Sequence, residues 1–125
     1  MPVKSSSSSV IRWPDQKTVL RAIRGWVKKE IKRHPDVIQL GYFGSYARGD
    51  WGVGSDLDLI AIVEASDLPF ERRSLDWDLH ALPVQAEILV YTITEWRHLL
   101  NEKGAFSKVI KRDAKWVYRR SVTKA

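Results

Sequence analysis

The sequence predicts a single α/β or α+β domain built around one sheet, and three observations predict it. Short apolar runs that end at Gly or Pro alternate with stretches of helical apolar spacing. Hydrophobic residues make up 44% of the 125 residues, enough for one core and too few for two domains that each bury their own. Cysteine is absent, so packing must hold the fold, and any metal must be bound by oxygen or imidazole.

Taken in order, Met1 to Ser9 is a serine-dominated polar tail with nothing to bury, read as disordered, and residues 10–125 form the domain. From Asp15 to His34, Leu20, Ile23, Val27 and Ile31 recur at helical spacing, widened by Val19 and Trp26. Lys17, Arg21, Arg24, Lys28 and Lys32 line the opposite face, and Pro35 stops the helix. Val37 to Phe43 reads as a strand that enters a turn at Gly44-Ser45, where a short helix can begin. A glycine-rich loop, Asp50 to Gly54, leads to a largely buried strand over Ser55 to Val63. Asp67 to Leu82 is irregular or helical. Val84 to Tyr91 is a third strand, and Thr92 with Glu95 forms a capping box that starts the next helix. Phe106 to Arg112 is helical, and Trp116 to Tyr118 makes a last strand.

The net charge of +6 is unevenly spread, with basic ends flanking an acidic middle over residues 50–102. Gathering like charges is costly unless a cation belongs among them. No apolar run reaches membrane-spanning length and no signal peptide precedes the domain, so a soluble, cytoplasmic protein is expected.

Residues two apart on a strand face the same side, so Asp56 and Asp58 project together while Leu57 and Leu59 pack inward. Two adjacent carboxylates suit a hard divalent cation such as Mg²⁺; alone, such a pair is more often a solvated strand end. Gly44-Ser45 lies where a strand meets a helix start. Glycine permits close approach of an anion there, and free amides with the Ser45 hydroxyl donate to it. An anion cradle followed by paired carboxylates is the minimum for holding a nucleoside triphosphate with its metal.

Gly44-Ser45, ten intervening residues, then Asp56-Leu57-Asp58 resembles the signature of the minimal nucleotidyltransferases in the DNA polymerase beta superfamily. The likeness spans roughly Val37 to Tyr118. It implies one mixed sheet with helices packed mainly on one face. It also implies two Mg²⁺ ions held by Asp56 and Asp58, with ATP as substrate. Glu87 on the following strand would complete the metal site and help deprotonate the acceptor, though aspartate is commoner there. Gly44, Ser45 and Arg48 would grip the phosphates.

The resemblance further implies that the acceptor comes from elsewhere. Minimal members often pair with a small helical HEPN protein in a toxin–antitoxin system and attach AMP to it. RNA as acceptor, held by the basic ends, is the weaker alternative, and an inactive partner-binding module is a third. Trp51 either stacks on a base or packs in the core; Trp77, between Asp76 and Asp78, is expected to be partly exposed at an interface. His34, His80 and His98 share no ligand spacing and are expected in ordinary surface or packing roles.

Overall fold

A computed structural model describes residues 14–121. The expected tail over Met1 to Ser9 lies outside the described residues.

Helix α1 (Gln16–Arg33) starts where the Asp15 carboxylate accepts the Thr18 amide at 2.8 Å, a side-chain N-cap that supplies one of the partners a helix start lacks. Val19, Ile23, Trp26 and Val27 are buried, Leu20 and Ile31 half-buried, and the basic residues of the opposite face exposed. Strand β1 (Val37–Phe43) falls on the expected residues. One turn of helix, α2 (Ser45–Arg48), follows Gly44 directly. Strand β2 (Leu57–Val63) begins two residues later than the apolar pattern suggested, because Gly52 to Ser55 first close a turn through paired bonds, Ser55 N–H to the Gly52 carbonyl and Gly52 N–H to Ser55 Oγ. Two 3-10 segments (Phe70–Asp76 and Leu79–Ala81) make the crossover to β3 (Ala86–Thr92). The capping box at Thr92 is formed: its hydroxyl accepts the Glu95 amide, and the Glu95 carboxylate accepts the Thr92 amide. Helices α3 (Ile93–Asn101) and α4 (Ala105–Asp113) follow, then β4 (Lys115–Arg119).

The sheet is mixed, in the order β3-β2-β1-β4, with β2 and β3 parallel and the other pairs antiparallel. Helices were expected mainly on one face. The larger core does lie on one side, where α1 and the crossover meet Leu40, Tyr42, Leu57, Leu59 and Ala61. A second, smaller layer of α3 and α4 packs Trp96 and Ile110 against Ile60 and Ile62 on the other side. No helix among the described residues is long and apolar enough to cross a membrane.

Trp77 corrects an expectation: it is 7% exposed, not an interface residue. Its ring stacks on His34 at 4.0 Å between centroids and lies 5.9 Å from Trp26, so crossover and α1 close over each other. The buried Glu30 adds to that junction, accepting the Asp78 amide at 3.0 Å and an Arg33 bond at 2.6 Å. Arg73 does similar work beside β3, donating to the Leu68 and Val90 carbonyls and pairing both oxygens of Glu95.

Candidate active site

The C-terminal end of β1 and the N-terminal ends of β2 and β3 lie side by side. In this register Asp58 sits between Phe43 on one neighbour and Glu87 on the other. Parallel partners point to the same face, so the Asp58 and Glu87 carboxylates stand together, with Asp56 two residues upstream on the same side. Ile60 and Ile62 continue that face under α3 and α4, and Phe106 of α4 meets Phe43 edge-on at 5.9 Å, closing the apolar floor beside the acidic group.

Asp58 is half-buried, whereas Asp56 and Glu87 are exposed. Burial pushes the Asp58 carboxyl above the usual carboxylate range, Glu87 and then Asp56 push it further, and Arg48 opposes them weakly. None of the three carboxylates accepts a hydrogen bond from a described residue. The result is negative charge that the protein concentrates and does not itself neutralise.

Gly44 stands next to this charge with φ 75° and ψ −150°, a conformation open essentially to glycine alone. The Asp58 carboxylate lies directly against its Cα, so the chain reverses into α2 within touching distance of the acid. Ser45 then offers an amide and a hydroxyl that have no acceptor among the described residues. With a single turn, α2 contributes little dipole, and these two donors are what an anion would meet.

Arg48 is more committed than its expected phosphate role requires. Its Nε bonds Asp50 at 3.0 Å and its Nη1 reaches Asp113 at 3.5 Å, tying the glycine-rich loop to the end of α4. Asp113 is in turn gripped by Arg112, at 2.8 and 3.1 Å. Sequence reasoning missed Tyr46 altogether. Buried at 1% exposure, it stacks on Trp51 with centroids 5.4 Å apart and 7° between planes, and its hydroxyl donates to the Ser55 carbonyl at 3.4 Å. Trp51 therefore packs on the protein, and the pair pins the loop that delivers Asp56. The only signal was one aromatic shortly before a glycine-rich stretch and another within it.

The donor set is all oxygen, as a hard cation prefers. Among the described residues no three carboxylate or imidazole side chains form a ready cage for a metal. Mg²⁺ does not need one, because it keeps waters and takes substrate phosphates beside one or two carboxylates. Asp56 and Asp58, with Glu87 alongside, fit such a shared site.

The sequence matches the family model of the nucleotidyltransferase domain over residues 24–116. The chain belongs to that family. Among solved structures, this nucleotidyltransferase domain resembles a protein from Sulfolobus solfataricus whose own assignment as a nucleotidyltransferase is provisional. That likeness has a TM-score of 0.61 at 19% identity and covers 84% of each chain. It also resembles a toxin-antitoxin structure with AMP-PNP, TM-score 0.53 at 14% identity, over 78% of this chain and 73% of that one. At these identities the likenesses speak to fold. No curated protein matches the sequence.

Proposed function

We propose that this nucleotidyltransferase domain moves AMP from ATP to a hydroxyl of a partner protein, as the antitoxin of a pair with a small helical HEPN protein. The observation that carries the transfer chemistry is the placing of Asp58 in register with Glu87, beside Asp56 and the Gly44-Ser45 turn. The fold likeness to a toxin-antitoxin structure with AMP-PNP supports the nucleotide and the biological setting. The tryptophans among the described residues lend the partner no exposed aromatic surface: Trp26, Trp77 and Trp96 are buried, and Trp51 and Trp116 are half-buried.

In this reading the Ser45 amide and hydroxyl hold the outer phosphates, with Arg48 reaching them only by giving up part of its hold on Asp50 or Asp113. Asp56 and Asp58 would hold divalent metal, with Glu87 completing the site; when bound, the metal offsets charge on the phosphates and lowers the pKa of the attacking hydroxyl. The acceptor oxygen bonds to the α-phosphorus while the bond from that phosphorus to the bridging oxygen breaks. Pyrophosphate leaves with that oxygen, and Glu87 takes the hydroxyl proton. Next to Glu87 a depression of about 370 Å³, lined by Phe70, Leu79 and Ile88 among others, gives the acceptor side chain a place to approach.

The test is to incubate the protein with Mg²⁺, ATP and the protein encoded by the adjacent reading frame, and to weigh the products. A gain of one or more AMP units on the partner, absent with Asp56→Ala/Asp58→Ala, is expected. An unchanged partner mass, with ATP consumed on another acceptor or not at all, overturns the reading.

A further inference from the structure

On the opposite face of the sheet from the carboxylates, α1 and β4 enclose a groove of about 530 Å³. Its floor is apolar, with Leu20, Val27 and Ile31 from α1 and Val117 from β4; Tyr42 and Tyr118 add aromatic surface. Arg24, Lys28 and Lys115 stand on its rim, and none has an ion-pair partner among the described residues. Tyr42 is 7% exposed and lines the groove, and its hydroxyl has no hydrogen-bond partner among the described residues, so it can donate to a molecule seated there. Burial raises the phenol pKa, with Arg24 opposing, so the hydroxyl stays a neutral donor.

Three cations without partners over an apolar and aromatic floor, with one unused buried donor, match a ligand that is anionic outside, planar and apolar inside, and hydrogen-bond accepting. A nucleotide has that chemistry. The basic row decides between a free nucleotide and a strand. Lys17, Arg21, Arg24 and Lys28 run along about 16 Å of α1, farther than the phosphate of one nucleotide reaches but suited to a chain of them.

We infer that the α1–β4 groove is a docking site for single-stranded nucleic acid, with one base seated against Tyr42 and neighbouring phosphates on Arg24, Lys28 and Lys115. Tyr42 belongs to the α1-side core and Asp58 to the α3–α4 side, so a strand held here is tethered and is not thereby presented to the carboxylates. The inference stands apart from the proposed transfer to a protein hydroxyl.

Fluorescence anisotropy of the full chain with a labelled RNA of roughly twelve nucleotides tests it. Saturable binding is expected, weakening with salt. Neutralising Arg24, Lys28 and Lys115 together to Gln should cost at least tenfold in affinity and lower the salt slope by about 0.7 for each phosphate no longer neutralised. Tyr42→Phe keeps the packing and should cost about threefold to tenfold with the salt slope unchanged. Asp56→Ala/Asp58→Ala should bind the RNA as the wild type does, even where transfer is lost. Circular dichroism shows whether the triple variant is folded; should it not be, Lys28→Gln on the exposed helix face carries the same expectation at smaller size. RNA affinity indifferent to these substitutions overturns the inference. So does AMP alone binding as tightly as the oligonucleotide, or an acidic peptide displacing it equally well.

Discussion

Gly44 and Asp58 share so little space that a methyl group on Gly44 would lie 2.3 Å from Asp58 Oδ2. The turn and the acid are packed so closely that a side chain at Gly44 would have to displace the Asp58 carboxylate. Gly44→Ala therefore meets two obstacles, a backbone with φ 75° and a carboxylate in the way. We expect a loss of about 2 kcal/mol or more in urea unfolding, with transfer activity abolished. In an Asp58→Ala background the carboxylate is gone and only the backbone strain remains. There Gly44→Ala should cost at least ~1 kcal/mol less, a coupling a double-mutant cycle reads directly.

Asp58→Asn separates function from stability. It removes a charge that burial, Glu87 and Asp56 all disfavour, so without divalent cation the variant should melt at the wild-type temperature or above it. Transfer should fall by a factor on the order of 100 or more. Mg²⁺ should raise the melting temperature of the wild type and leave Asp56→Asn/Asp58→Asn unmoved. A variant that melts well below the wild type would mean Asp58 is structural.

Glu87 is exposed at the start of β3, so its replacement should alter stability by no more than about 0.5 kcal/mol. If it takes the acceptor proton, Glu87→Gln lowers kcat by about 10²- to 10⁴-fold while nucleotide affinity stays nearly constant. Glu87→Asp, the commoner residue in the resembled family, should retain most of the rate. Equal losses in both variants would point to a positional requirement and not a proton acceptor.

Arg73 and the Thr92 amide hold the Glu95 carboxyl below the usual carboxylate range, Arg73 contributing most. A depressed folded pKa gives stability that is present above the unfolded value, here 4.5, and lost as pH falls through the lower folded value. Glu95 is 42% exposed, so solvent screening limits the effect to about 1 kcal/mol or less. The wild type should thus lose more stability between pH 7 and pH 3 than Glu95→Gln does, measured as the shift in urea midpoint.

Much of this arrangement is legible in the residues, and the parts that are not share one cause. β1 could be read to its ends because Pro35-Asp36 and Gly44 bound an uninterrupted apolar run, and the Thr92–Glu95 box because its partners are three residues apart. Asp56 and Asp58 declare a shared side through strand alternation alone. Trp77 misled because its local neighbours are acidic, while its burial depends on α1, more than forty residues earlier in the chain. Arg48 likewise looked available, and its pairing with Asp113 spans 65 positions. Local pattern identifies donors and acids; only the folded chain says which of them are already engaged.

Arg73 has one more effect, on the sheet's outer margin. β3 is the terminal strand on its side, and terminal strands offer bare peptide groups on which another chain can add a strand. By occupying the Val90 carbonyl with a guanidinium that is itself anchored to Leu68 and Glu95, the crossover blunts that margin from within. With that carbonyl taken, the β3 edge offers one fewer free acceptor to an added strand, whether from another copy of the chain or from another protein.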